Sequence, residues 1–447
     1  MQEPTESTEP TPGQAGVKPL VVAVDMGYGH LRAARPIARA LGVEITLVDR
    51  PPLVGPEEQK VWDRVRSAYE WTSRASQLPF VGRPFRWALE SVTDIPHLHP
   101  YRDLSAPTRG VDAVERLVRT RGLGKGLAAR MKETGEPLVA TFYSPAIAAD
   151  AAGLDNVWCV VTDSDINRVW APRDTAHSRI RYLVPSPRAG RRLRSYGVPE
   201  ERISFTGFPL PAELVGGRAL PILRSNLAAR LVRLDPAGSF RRDYREELAH
   251  FLGPLPEAEE GRPPTLTFAV GGAGAQAEMA HQFLPGMRGP IEEGKLALVL
   301  VAGVRGAVEA RFREEIQLAG LEGALGNGLE ILRADSLEEY FDRFDATMAR
   351  TDALWTKPSE LSFYAALGLP LVFSPPVGVH ERYNRRWVRE SGAGLVQRDP
   401  AAAWQWFSDW LEDGSLAGAA WSGFIRLPKH GLHRILDEVV GGKKEEG

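Results

Sequence analysis

Two short strand-like runs, the first wholly apolar, each followed at once by a glycine-containing turn and a helical pattern, constrain this chain more than any other feature. The first is Pro19-Leu20-Val21-Val22-Ala23-Val24, then Asp25-Met26-Gly27-Tyr28-Gly29-His30, then Ala33, Ala34, Ile37, Ala38 and Leu41 at helical spacing up to Gly42. The second, about 250 residues on, is Thr265–Val270, then Gly271-Gly272-Ala273-Gly274-Ala275-Gln276 and another helix. An apolar run without polar alternation is a strand buried on both faces, which requires a parallel sheet covered by helices. Strand, glycine turn, helix and strand in succession open a doubly wound sheet.

Further buried strands are expected at Leu138–Phe142, Val157–Thr162, Arg181–Val184, Leu296–Val301, Leu329–Leu332, Ala353–Thr356 and Leu369–Phe373. The fold class is therefore α/β, with two Rossmann-like domains facing a cleft. The boundaries expected are a disordered tail over 1–17 and a first domain over 18–212, with an aromatic and Arg-rich insert at 55–110. A linker or insert spans 213–264, the second domain 265–400, and 401–447 supplies helices that cross back to brace the first domain.

Composition narrows the function. The 447 residues carry 55 Lys+Arg against 57 Asp+Glu, a net charge of −2, which argues against a general nucleic-acid binder. Only nine of the cations are lysines, so the positive charge is mostly guanidinium, suited to bidentate anion contacts or set by base composition alone. The single cysteine, Cys159, excludes an internal disulfide or a cysteine-built zinc site. No apolar run reaches the length of a membrane span, and residues 1–17 lack a signal peptide's basic start and apolar stretch. A cytoplasmic protein is expected. Residues 62–102 interleave Trp62, Tyr69, Trp71, Phe80, Phe85 and Trp87 with arginines. This mixture fits either a helical subdomain with an aromatic core or peripheral contact with an anionic membrane face.

Ligands of open parallel sheets bind at the carboxyl ends of the strands, so the chemistry is sought there. The Gly271–Gln276 turn suits a phosphate, because glycines let backbone N–H groups approach an anion at a helix start. Tight strand–helix packing would use the same residues. No Lys-Ser/Thr follows, and the spacing is not G-x-G-x-x-G. His30 can serve as a base near neutral pH or bind a neighbouring carbonyl. Asp163 and Asp165 follow another strand; carboxylates two apart commonly cap turns, and no metal is expected. Lys357 offers a point charge to a phosphate, Ser359 a helix cap, and Glu360 two acceptors for ribose hydroxyls. Glu381 and Asn384 share a helix face beside His380 and can meet a sugar's hydroxyls.

Together these loops resemble the GT-B glycosyltransferases, in particular the diacylglycerol glycosyltransferases, with the peptidoglycan lipid-precursor N-acetylglucosaminyltransferase more distant. Met26-Gly27-Tyr28-Gly29-His30 resembles that group's glycine-rich opening, and Val161-Thr162-Asp163 with Trp170 its Val-Thr-Asp stretch. Tyr182–Ser186, Gly197-Val198-Pro199 and Thr206-Gly207-Phe208-Pro209 follow its next run. Thr356-Lys357-Pro358-Ser359 and Gly378-Val379-His380-Glu381 with Asn384 are similar to its donor-site blocks. Met26 and Tyr28 stand where that group has glycine, Asn167 where it has histidine, and His380 where it has glutamine.

The resemblance implies sugar transfer from a nucleotide-sugar co-substrate, a UDP-sugar, to a small-molecule or lipid hydroxyl, inverting and without metal or other cofactor. It implies His30 and Asp163 as catalytic residues, and Gly27, Tyr28, Gly29, Asn167 and Trp170 around the acceptor. Gly271, Gly272, Gly274, Gln276, Arg305, Lys357, Ser359, Glu360, His380, Glu381 and Asn384 would hold the donor. A sugar-nucleotide epimerase or hydrolase and a non-catalytic binding protein of this fold are the alternatives.

Overall fold

The computed structural model describes residues 18–75, 94–256, 261–270, 276–376 and 378–441. The tail at 1–17, residues 76–93 of the aromatic insert and the turn residues Gly271, Gly272 and Gly274 lie outside them. Two six-stranded, all-parallel sheets form the frame. The N-terminal sheet contains β1 (Leu20–Ala23), β2 (Ile45–Leu47), β3 (Leu138–Ala140), β4 (Val157–Val160), β5 (Arg181–Val184) and β6 (Ile203–Phe205), in the order β2-β1-β3-β4-β5-β6. The C-terminal sheet contains β7 (Thr265–Ala269), β8 (Ala297–Gly303), β9 (Leu329–Arg333), β10 (Ala353–Thr356), β11 (Leu371–Phe373) and β12 (Gly394–Val396), in the order β12-β11-β10-β7-β8-β9.

Both orders reverse direction beside the sheet's first strand. The switch points lie between β1 and β3 and between β7 and β10, and each opens a crevice at the strand carboxyl ends. Strand β1 shows why the sheets are parallel and covered. Val21 and Ala23 enter one core cluster, while Leu20, Val22 and Val24 enter another on the opposite face.

The helix Tyr28–Leu41 starts from Gly27, whose φ of 118° is open to glycine, and Leu31 through Ala38 are all buried, Arg32 and Arg35 included. A helix so buried has a second partner besides its own sheet, and that partner is the other domain. Residues 213–264, expected as a linker or insert, contain the helices Pro221–Arg233 and Arg245–Leu252. Arg230 donates to the carbonyls of Thr351, Leu367 and Gly368, and Arg233 pairs with Asp352, so the first of these helices is docked on the C-terminal domain. The last helix, Gly431–Val440, packs against Tyr28–Leu41, and its Arg434 reaches the Thr206 carbonyl.

Candidate active site

His30 lies at the N-terminal switch point. Its Nδ1 is 2.8 Å from the Thr141 carbonyl just past β3 and 3.3 Å from the Thr162 hydroxyl just past β4. The Thr141 hydroxyl returns a bond of 3.0 Å to the His30 carbonyl. A carbonyl only accepts, so Nδ1 carries the proton and Nε2 keeps its lone pair. Burial lowers the His30 pKa below its ordinary 6.5, against the opposing pull of Asp163, the Thr141 bond and Glu360, and with His380 adding to the lowering. The ring is therefore held as a neutral imidazole, and charges from both domains bear on it.

Asp163, Ser164 and Asn384 stitch the domains together. Asn384 Nδ2 donates to Asp163 Oδ1 at 3.0 Å and to the Pro358 carbonyl at 3.2 Å. Its Oδ1 accepts from the Ser164 N–H at 2.9 Å and the Ser164 hydroxyl at 2.7 Å. Asp165 turns away: its carboxylate is fully buried, takes Arg192 at 2.8 Å and Arg188 at 2.6 Å, and does not join Asp163.

A second set of contacts joins the first loop to the other domain. The Tyr28 ring packs 4.9 Å from Tyr340 and 6.2 Å from Phe341. Gly303, at the end of β8 with φ 67°, admits the Tyr28 hydroxyl, which would lie 3.0 Å from any added Cβ. The Glu360 carboxylate approaches to 3.4 Å from where a Cβ on Gly29 would stand. Arg32 Nε meets Glu360 at 3.4 Å, and its other nitrogens donate to the hydroxyls of Tyr364 and Tyr340 at 3.4 and 3.1 Å. Arg35 binds Asp345 at 2.7 Å and also Asp342, and Arg39 extends the row to Asp342 and Glu213.

On the C-terminal side, Lys357 Nζ is 2.7 Å from Glu381 Oε1, and Glu381 Oε2 accepts from the Gly378 N–H at 3.3 Å. Gln276 is tied to the end of β11 through the Ser374 hydroxyl at 2.7 Å and the Pro375 carbonyl at 3.2 Å. His380 is exposed and folds back over Gly378, Arg305 is exposed at the start of helix Gly306–Leu318, and Ser359 precedes the 3₁₀ helix Glu360–Leu367. On the N-terminal side, Trp170 is buried against Tyr143 at 5.5 Å and Phe142 at 6.2 Å, and Phe142 in turn meets His30 at 4.6 Å. Asn167 has a buried side-chain oxygen with no hydrogen-bond partner among the described residues. The aromatic wall thus begins at the candidate base.

No protein-family model matches the chain, and no curated protein matches it in sequence. Solved structures do match in shape. MnaA from S. aureus, solved together with UDP, superposes over 97% of this chain and 99% of its own, at 12% identity and a TM-score of 0.51. A candidate UDP-N-acetylglucosamine 2-epimerase from Listeria monocytogenes covers 96% and 98%, at 12% identity and a TM-score of 0.51. MurG from Acinetobacter baumannii covers 95% and 100%, at 14% identity and a TM-score of 0.48. The likeness is one of fold. Two parallel sheets meeting at their strand carboxyl ends, with the last helix returning to the first domain, are the GT-B architecture.

Sequence reasoning singled out His30, Asp163, Glu360 and Asn384, and the structure brings all four to the same cleft. It missed Thr141, which sets the His30 tautomer, and Arg32 with its cage of Tyr340, Phe344 and Tyr364. A signal for Arg32 exists, since arginines at 32, 35 and 39 recur along one helix face.

Proposed function

We propose that this chain is a GT-B enzyme acting on a nucleotide sugar, and that it transfers the sugar from a UDP-sugar to an acceptor hydroxyl. The observation that carries this reading is the neutral His30, held through Nδ1 by the Thr141 carbonyl, with Nε2 available at a switch-point crevice. On this reading Nε2 takes the acceptor's hydroxyl proton as its oxygen attacks the anomeric carbon. The bond to the diphosphate oxygen breaks on the opposite face, inverting the centre. Asp163 steadies the imidazolium that forms. Lys357 and Arg305, with the glycine turn before Gln276, meet the charge on the departing diphosphate, which is the work a metal would otherwise do. The neighbour solved with UDP supports a uridine donor. The sequence resemblance supports a lipid as acceptor, and the aromatic and arginine mixture of residues 62–102 fits peripheral contact with an anionic membrane face. Among the described residues no helix is long and apolar enough to cross a membrane.

A second reading, conversion or hydrolysis of the UDP-sugar without an acceptor, draws on the fold shared with the candidate 2-epimerase. One experiment separates them. The purified chain is incubated with a panel of UDP-sugars, with and without diacylglycerol or simple glycoside acceptors, while UDP release and sugar identity are followed. Acceptor-dependent UDP release that disappears in His30→Ala is expected. Release unaffected by that substitution would refute the role of His30. Epimerised sugar nucleotide without acceptor would establish the second reading. No UDP release and no altered sugar nucleotide with any donor, together with no thermal shift on adding nucleotides to the same protein, would leave a non-catalytic binding protein.

A further inference from the structure

Away from the cleft, a cavity of about 450 Å³ opens between the helices Pro221–Arg233 and Arg245–Leu252 and the helix Ser415–Arg426. Its walls are apolar: Leu220, Phe251, Phe424 and Ile425. Two of them are held open to solvent, Phe251 and Ile425 each 42% exposed, and Ile222 nearby is 40% exposed. Apolar side chains gathered at the mouth of a concave surface mark a binding site more often than chance exposure does.

The polar side chains of this cavity are all basic residues. Arg224, His250 and Lys429 line it, and none of the described lining residues carries a carboxylate. Lys429 is half-buried and donates to the carbonyls of Phe424 and Leu427 at the end of the helix, with its ammonium 4.7 Å from the Phe424 ring centre. An ammonium has three N–H groups, and two carbonyls account for two of them. Burial and then Arg434 pull the Lys429 pKa below its ordinary value, which is the signature of a cation short of compensation. Lys429 and Arg434 also both bear on His430, while Arg218 nearby is paired with Asp437.

We propose that this cavity binds a single-chain anionic amphiphile, its apolar chain between Phe251, Ile425 and Leu220 and its carboxylate or phosphate head on Lys429, with Arg224 and His250 beside it. Apolar walls alone would take any alkyl chain, and surface cations alone any anion. Their combination selects a molecule that has both. Lys429 is drawn in among the apolar walls while Arg224 and His250 are exposed, so the cavity suits the head of one chain rather than a bilayer face.

Calorimetric titration of the full chain with decanoate and decyl phosphate, below their micellar concentrations, tests this. Either should bind about tenfold tighter than 1-decanol, the scale of one charge-assisted hydrogen bond, while acetate and decyltrimethylammonium should bind weakly or not at all. Lys429→Met should remove the preference for the anion and leave 1-decanol binding unchanged. Because Lys429 also caps a helix end, Phe251→Ser, at an exposed position, serves as the second variant and should weaken decanoate and 1-decanol alike. Binding of decanoate no tighter than 1-decanol, or unchanged in both variants, would overturn the proposal. So would association only with anionic phosphatidylglycerol vesicles and with neither free amphiphile. None of these outcomes depends on the reading of the cleft.

Discussion

Arg32 offers the sharpest test of how the two domains are held. Its side chain is 2% exposed, and the Glu360 side chain it meets is 14% exposed. The guanidinium lies 4.2 Å from the Phe344 ring centre, 5.1 Å from Phe341 and 5.7 Å from each of Tyr340 and Tyr364. Removing one partner of a buried ion pair costs about 3–5 kcal/mol when the other is left without compensation. Here Glu360 faces the cleft and can recover some solvent, and two of the three polar contacts are long at 3.4 Å, which lowers the figure. A desolvated cation over aromatic rings returns about 2 kcal/mol. Arg32→Met, which keeps the apolar stem, should therefore destabilise the protein by about 2–4 kcal/mol. For a cooperative unit of about 200 residues that is a fall in Tm of roughly 5–10 °C. Urea denaturation and differential scanning calorimetry measure the loss, and small-angle scattering should show a larger radius of gyration as the domains part. A double-mutant cycle with Glu360→Gln should give a coupling of about 1 kcal/mol or more. If Arg32→Met changes stability by less than about 0.5 kcal/mol and leaves the scattering unchanged, the cage is a passive filling that does not hold the domains together.

The lowered His30 pKa places the acid limb of kcat/KM below pH 6.5, measurable in the sugar-transfer assay; a limb above that value would contradict a buried neutral base. The same shift makes the unfolded chain bind this proton more tightly, so the stability His30 contributes is complete above pH 6.5 and is lost as pH falls toward its folded value. Asp345 has the opposite sign: burial pushes it from 3.8 up to about 6, against Arg32 and Arg35, so its contribution falls as pH rises through that window. Asp345→Asn should gain on the wild type by up to about 3 kcal/mol between pH 4 and pH 7, read by urea denaturation at each pH. At the crossing between domains, a Cβ on Gly431 would stand 2.0 Å from the Phe208 carbonyl oxygen. Gly431→Ala should cost about 1–3 kcal/mol by thermal melting, as overpacking against immovable backbone does.

What the sequence made legible was whatever depends on one stretch of chain. Val21–Val24 is apolar because both faces of the strand are covered, and that needs no knowledge of the rest of the molecule. The edge strands Ile203–Phe205 and Gly394–Val396 are short and only partly buried, so they lack the apolar run that identifies a central strand. His30 was legible because it follows a strand directly. The Arg32 cage was not, because Tyr340, Phe344, Glu360 and Tyr364 lie some 300 residues away and meet it only when two sheets face each other. Helical spacing of arginines 32, 35 and 39 marks a polar face, yet only the second domain reveals that the first two positions are buried rather than solvated.

Asn384 shows how closure and ligand binding compete for one side chain. A carboxamide has two donor hydrogens and two acceptor positions, and here Asp163, the Pro358 carbonyl and two groups of Ser164 use all four. A sugar hydroxyl could reach Asn384 only by displacing one of these, three of which join the domains. The saturated geometry therefore assigns Asn384 to holding the cleft rather than gripping the sugar. Asn384→Ala should weaken UDP and a UDP-sugar by the same factor, because both need the domains aligned, and scattering should show a more open molecule. A side chain that gripped the sugar would behave differently: UDP affinity would be untouched, and the UDP-sugar would lose about tenfold, the worth of one or two hydrogen bonds. Titration of both ligands against the variant distinguishes the cases. A loss confined to the UDP-sugar would mean that the bonds to Ser164 and Asp163 give way when the donor arrives.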